Sequence, residues 1–171
     1  MNAFIKSISN FMSSRVKRRI LWVSILCLAA LIEFLYLGLA RRTFVFYTVS
    51  GGSIVVEDRM LKQAGSKSRE GNIIRYTEET LLGPSGPDLL PLFPRETKLK
   101  SLLLRDGVVY INFSGDAALP PVEGGETLVN YRTLYAGILR NFSYVKDVRF
   151  FIEGRAVYAN ELIEEEKITV L

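Results

Sequence analysis

The feature that most constrains this chain is one long apolar run, residues 20–40, that directly follows a cluster of basic residues. At about 1.5 Å rise per residue, a helix of this length spans roughly the 30 Å hydrocarbon core of a bilayer. Lys and Arg are more frequent before the run than immediately after it, where Arg41 and Arg42 follow. Because positive charge favours the cytoplasmic side, the sequence predicts a basic cytoplasmic segment (1–19), a transmembrane helix (20–40) and an extracytoplasmic domain.

A cleaved secretory signal peptide is the alternative, since Gly38, Leu39 and Ala40 offer small residues at a cleavage-like spacing. Against cleavage, the run is longer than a usual signal core, and two arginines would lie just past the cut. We therefore expect a retained single-pass anchor with its N-terminus in the cytoplasm. The residues expected to set the topology are Arg15, Lys17, Arg18 and Arg19, and those expected to form the anchor are Ile20, Leu21, Trp22, Leu26, Leu31, Leu35 and Leu39.

Glu33 lies inside the apolar run. A carboxylate at this depth is costly, and such a residue often faces a partner helix or marks a functional position. Alternatively, a single Glu in the outer third of a Leu-rich helix is tolerated, either protonated or reaching toward the interface. The second interpretation is favoured because no other polar residue shares its helical face. Glu33 is retained as a candidate contact to a partner helix.

The basic character of the chain belongs to its N-terminal part. Residues 1–42 hold seven of the 22 Lys and Arg but one of the 18 Asp and Glu, which leaves 15 basic and 17 acidic residues after Arg42. The outer segment is thus slightly negative and has no basic field for nucleic acid. The positive charge is expected to set orientation and to touch anionic lipid.

The inventory of catalytic and metal-binding residues is poor. The chain has no histidine, and its one cysteine, Cys27, lies in the apolar run. This removes the commonest general base, a thiol nucleophile, a disulfide and a Cys/His zinc site from the outer segment. Ser143 and Lys146 match the S-x-x-K spacing, but the Ser-Asp-Asn and Lys-Thr-Gly partners of that motif are missing. We expect no enzymatic activity, no cofactor and no metal.

Residues 43–158 are predicted to form one α+β domain, followed by an acidic tail (159–171). Alternating apolar residues and turn signals predict two hairpins and a closing strand pair, and 3.6-residue periodicity with capping signals predicts two helices. We expect five to six strands in one mixed or antiparallel sheet with two helices packed on it. The predicted strands are Thr43–Val49, Ile54–Arg59, Thr97–Leu104, Val108–Phe113, Asp147–Glu153 and Arg155–Tyr158, and the helices are Ser68–Leu82 and Glu126–Phe142.

Three aromatic residues are candidates for surface contacts, because aromatics are enriched at interface cores. Tyr131 and Tyr135 lie on the apolar stripe of the second helix, which favours core packing over exposure. Phe151 lies opposite the inward alternation of its strand, so it is the better candidate for an exposed contact.

The order and motifs of the outer segment resemble the GerM N-terminal (GerMN) domain family of sporulation and germination proteins. The resemblance covers about residues 43–158 and rests on several motifs in the right order. They are the opening strand Thr43–Tyr47, the acidic-then-Arg strand Glu57-Asp58-Arg59, the helix end Leu81-Leu82-Gly83-Pro84, the start Thr97-Lys98-Leu99, the glycine-to-serine strand Gly107–Ser114, the helix Gly125–Phe142 and the closing strand Val145–Gly154.

This resemblance implies a domain in the bacterial envelope, tethered by a lipid or a membrane helix and without known enzymatic residues. It also implies likeness to small α+β ring-building modules. We expect a membrane-anchored scaffold at the inner membrane that assembles with itself, as an oligomer or ring, or with other envelope proteins. The alternative is a domain that binds peptidoglycan or regulates a cell-wall hydrolase.

Overall fold

The structure is a computed structural model that describes residues 15–50, 52–64, 68–121 and 126–158. The chain forms two compact units that divide between Gly38 and Leu39.

The described residues of the first unit form the helix α1 over Arg15–Leu37. Its side chains are described as far as Ile32, and most of the apolar ones are exposed. Within the described residues, none of the helices combines the length and the apolar character that a bilayer span requires. The helix ends three residues before the predicted boundary because Gly38 adopts a φ of 51°, a conformation that glycine reaches at low cost. Leu39 and Ala40, predicted to close the span, begin a strand instead.

The second unit is an α+β domain. Its described residues form seven strands, two α-helices and one 3₁₀ helix. In chain order these are β1 (Leu39–Thr48), β2 (Ile54–Lys62), α2 (Arg69–Leu82), β3 (Leu89–Leu90), β4 (Leu99–Arg105), β5 (Val108–Phe113), a 3₁₀ helix (Gly115–Ala118), α3 (Thr127–Asn141), β6 (Asp147–Ile152) and β7 (Arg155–Val157).

The strands form two sheets, which corrects the prediction of one sheet with five to six strands. In the described residues the first sheet has the order β2-β1-β3 and the second the order β4-β5-β6-β7. All neighbours are antiparallel except β5 and β6, which α3 connects in parallel. β3 lies between α2 and β4, where no strand is among those predicted from the sequence. On the edge of β1 that faces away from β2, the side chain of Asn141 bonds to the main-chain groups of Thr43.

Local sequence signals predicted the turns and caps correctly. Asp106 and Gly107 join β4 to β5 with φ values of 53° and 86°, as a two-residue hairpin turn requires. The Ser68 hydroxyl accepts a hydrogen bond from the Gly71 N–H at 2.9 Å and caps α2, and Gly83 ends that helix with a φ of 86°. Both predicted hairpins and both predicted helices of the domain are confirmed.

Aromatic rings fill much of the core. Tyr131 on α3 is fully buried and its ring lies 5.0 Å from that of Phe150 on β6. Tyr76 on α2 stacks on Phe44 of β1 at 4.6 Å. Core packing of the α3 stripe is thereby confirmed for Tyr131, and Tyr135 packs partly buried against the same cluster.

Candidate interaction surfaces

The outer face of the second sheet carries an aromatic pair. Side chains alternate along a strand, so the face opposite the buried Ile111 and Phe150 presents Tyr110 from β5 and Phe151 from β6. The two rings lie 6.4 Å apart with an interplanar angle of 35°. Arg149 places its guanidinium carbon 5.9 Å from the centre of the Tyr110 ring. This arrangement forms a flat patch with apolar and cationic character.

Phe151 occupies the face that its sequence alternation predicted. It is half-buried rather than fully exposed, because it packs beside Tyr110. Its partner Tyr110 was not predicted, although the same alternation in Val108–Phe113 already places Tyr110 opposite Val109 and Ile111. The cross-strand proximity of the two rings depends on the parallel pairing of β5 with β6.

The charges around this patch are balanced. Arg149 bonds to Asp147 at 3.3 Å, and Lys100 bonds to Glu153. The Lys100 ammonium and the Gly115 N–H hold the pKa of Glu153 below its usual range. Because these two cations are paired with carboxylates, they do not supply the one-signed field that a polyanion would require.

A groove of about 400 Å³ lies between the outer edge of β2 and α2. Leu82, at the end of α2, is 79% exposed, and Met60 on β2 is 58% exposed. Arg75 donates from Nη1 to the main-chain oxygen of Lys62 at 2.9 Å and links helix to strand at one end of the groove. The side chains that line it are Met60, Leu61, Lys62, Arg75, Glu78, Glu79 and Leu82.

Arg59 organises the inner face of β2. Its guanidinium donates to Glu57 at 2.6 Å, to Glu79 on α2 at 3.0 Å and to the Gly83 carbonyl at 2.9 Å. Burial raises the pKa of Glu57, but the bonds from Arg59 and from the Ser85 N–H outweigh it and leave that pKa below its ordinary value. The Glu57-Asp58-Arg59 motif of the sequence therefore includes a mostly buried cation that fixes α2 on the first sheet.

The two arginines after the predicted span have structural partners within the domain. Arg41 bonds to Asp58 at 2.5 Å. Arg42 donates to the Asn141 carbonyl at 2.5 Å and lies over the Phe142 ring at 4.3 Å. The sequence indicated these residues as flanking charges, and their cross-strand and helix partners are visible only in the folded domain.

The remaining residues predicted from sequence belong to other elements. Arg15, Lys17, Arg18 and Arg19 form the first turn and the start of the second turn of α1. Glu33 and Leu35 belong to the same helix, with side chains outside the described set, and Leu39 opens β1. Ser143 and Lys146 are both exposed and follow the end of α3, so they do not share a helical face. The acidic tail lies outside the described residues.

One solved structure supports the fold of the domain. The first GerMN domain of the sporulation protein GerM from Bacillus subtilis superposes with a TM-score of 0.50 at 15% identity, over 70% of this chain and 86% of that one. The tandem GerMN domains of the same protein give 0.49 at 18% identity, over 69% of this chain and 40% of that one. This chain thus spans less than half of the tandem structure. A Clostridium perfringens protein with the provisional description of lipoprotein gives a TM-score of 0.46 at 18% sequence identity, over 70% of this chain and 78% of that one.

No curated protein sequence matches this chain. The family model described as Germane, sporulation and spore germination, matches residues 45–158. This match covers more than half of the chain and agrees with the extent of the α+β domain. The chain therefore belongs to the sporulation and spore germination family, and residues 45–158 are its family domain.

Proposed function

We propose that this chain is a membrane-anchored scaffold of the bacterial envelope whose domain, from Leu39 onward, binds other envelope proteins outside the cytoplasm. The observation that carries this is the outward-facing pair Tyr110 and Phe151 on a charge-balanced sheet face. Aromatic rings with a neighbouring arginine are the residue types that contribute most at protein interfaces. Proteins with neutral, partly apolar surfaces are the partners that such a face fits.

The support for anchoring comes from the apolar run and its charge asymmetry. Residues 20–40 are apolar with the exception of a few positions, and four basic residues stand just before them. The described apolar side chains of α1 are largely exposed, and an apolar environment would cover them. The inner membrane supplies that environment, with the basic N-terminus in the cytoplasm.

In-cell crosslinking of the full chain tests the scaffold function. Cells carrying the parent protein are crosslinked, fractionated into membrane and soluble parts, and the crosslinked neighbours are identified. We expect membrane fractionation and a defined set of envelope neighbours that is lost in Phe151→Ser. Leu119→Ser is the matched control, since Leu119 is an exposed apolar residue outside the strands of this sheet.

Two outcomes would contradict the proposal. Recovery of the chain in the soluble fraction would contradict the membrane anchor. An unchanged set of neighbours in Phe151→Ser would contradict the aromatic patch as the binding surface. Sedimentation of the chain with purified cell wall, reduced in Phe151→Ser, would instead favour peptidoglycan as the ligand.

A further inference from the structure

β2 presents a free edge. In the part of the chain that the structure describes, β2 is the terminal strand of its sheet and pairs with β1 alone. The Thr48 N–H donates to the Ser53 carbonyl at 2.9 Å. Since hydrogen-bonded and non-hydrogen-bonded pairs alternate along an antiparallel ladder, this bond determines which residues of β2 bond to β1. It follows that the N–H and C=O groups of the even-numbered residues of β2 point away from β1. Those residues are Ile54, Val56, Asp58, Met60 and Lys62.

Two features set the length of this edge. The hairpin loop precedes Ile54. At the other end, the Arg75 guanidinium already bonds to the outward carbonyl of Lys62 at 2.9 Å. The available edge is therefore the stretch from Ile54 to Met60, and its midpoint is Glu57.

The usual protections of an edge strand are weak here. Proteins protect such edges with short strands, proline, bulges or free charges. β2 pairs with β1 without a register shift, and its charges are bound within the chain, Asp58 to Arg41 and Glu57 to Arg59. The outer side chains of Ile54, Val56 and Met60 are 66%, 51% and 58% exposed. A regular edge with exposed apolar side chains is a template for another strand.

We propose that β2 pairs antiparallel with β2 of a second copy of this chain, about a two-fold axis at Glu57. A two-fold axis at the midpoint uses the whole available edge and leaves the bond between Arg75 and Lys62 intact. In this register Ile54 lies opposite Met60 of the second copy, and Val56 lies opposite Asp58 of the second copy. The outward groups then form about eight main-chain hydrogen bonds, and two three-stranded sheets become one continuous sheet.

The same register is consistent with the charges and with the proposed anchor. Glu57 meets its counterpart across the axis, and the Arg59 guanidinium of each copy compensates the repulsion. This pairing rests on the proposed scaffold function in one respect, since anchoring in a membrane raises the effective concentration of two copies and favours a modest interface.

Cysteine pairs test the register in the full chain, in membranes and in a Cys27→Ser background. In the double variant Ile54→Cys/Met60→Cys, each new cysteine lies opposite its complement in the second copy, so mild oxidation should give a covalent dimer. The single variants are matched controls. In each of them the new cysteine lies about 20 Å from the same cysteine of the second copy, six residues further along the strand. They should stay largely monomeric under the same oxidation.

Val56→Pro provides a second test that does not depend on cysteines. The Val56 N–H points outward, so proline removes a donor needed by the second copy while the β1 ladder keeps its bonds. We expect at least a tenfold loss of dimer at a given chain density, with Val56→Thr as the control that retains the N–H.

The outcomes separate this inference from the scaffold function. A double variant that crosslinks no better than the singles, or that crosslinks to a different protein, would overturn self-pairing even if envelope neighbours are found. If the double variant crosslinks efficiently but no envelope neighbours are found, the result would support the pairing of β2 and contradict the scaffold function.

Discussion

The side chain of Asn141 takes the place of a neighbouring strand for Thr43. Its Oδ1 accepts from the Thr43 N–H at 2.9 Å, and its Nδ2 donates to the Thr43 carbonyl at 2.8 Å. The same Nδ2 donates to the Gly137 carbonyl one turn back on α3, also at 2.8 Å. The last residue of α3 thereby fixes that helix to the edge of β1.

Replacing Asn141 should detach α3 from β1. Asn141→Ala leaves both main-chain groups of Thr43 without this partner, and we expect a loss of about 2 kcal/mol in the free energy of unfolding. Asn141→Asp keeps the acceptor and loses the donor, so it should fall between the parent and the alanine variant. Chemical denaturation of the full chain in detergent measures both. Equal stability of the parent and Asn141→Ala would contradict this role.

Gly137 permits the close approach of α3 and α2. A Cβ at this position would collide with the Tyr76 hydroxyl. That ring cannot easily give way, because it stacks on Phe44 and meets Phe142 edge-on at 5.7 Å. We expect Gly137→Ala to cost about 1–3 kcal/mol despite the better helix propensity of alanine.

Tyr76→Phe provides the control for that clash. Alone it should cost about 1 kcal/mol, since the Tyr76 hydroxyl donates to the Thr43 carbonyl at 3.2 Å. Combined with Gly137→Ala it removes the colliding oxygen, so the double variant should be more stable than Gly137→Ala by itself. A strictly additive pair, measured by a double-mutant cycle, would show that the hydroxyl is not the obstacle.

The turn at Asp106 and Gly107 should be sensitive to a side chain at its second position. Gly107 has a φ of 86°, and a Cβ there would lie 3.1 Å from the Lys146 side chain. We expect Gly107→Ala to cost about 1–2 kcal/mol. Asp106→Asn should change little, because asparagine tolerates the left-handed conformation of that residue. Thermal melts of the two variants check the contrast, and similar melting temperatures would contradict it.

Acid should weaken the hydrogen bonds that Glu57 accepts from Arg59 and from the Ser85 N–H. The pKa of Glu57 in the folded chain is below its value in the unfolded chain, which is about 4.3. A group with a lowered folded pKa stabilises the fold above the unfolded pKa, and that contribution disappears as the pH falls through the folded pKa. Glu57→Gln should therefore lower the melting temperature at neutral pH and flatten its decline below about pH 4.3. If the melting temperature of Glu57→Gln falls with decreasing pH as steeply as that of the parent, this role of Glu57 is wrong.

Much of the local structure was readable from the sequence. Gly83 after the α2 pattern, Asp106-Gly107 between two apolar runs, and the stripe through Tyr131 and Ile138 each act over a few residues. Their geometry depends on short-range dihedral preferences and on one-sided burial, so pattern alone predicted them. The outward placement of Phe151 followed from strand alternation in the same way.

The surfaces depend on contacts between residues far apart in the chain. The pairing of Tyr110 with Phe151 requires the parallel register of β5 and β6, and the partners of Arg59 come from β2, α2 and the loop after it. Alternation does not specify which strands become neighbours, which is why one sheet was expected where two formed.

The sequence by itself determined the family, the α+β class, the order of the elements and most of their ends, because these depend on local propensity and periodicity. The tertiary structure decided how the strands divide into sheets, that Asn141 covers one edge of β1, and that no other strand of the described residues pairs with the outer edge of β2. Those outcomes depend on which main-chain donors and acceptors find partners across long sequence distances, and only the folded chain sets those distances.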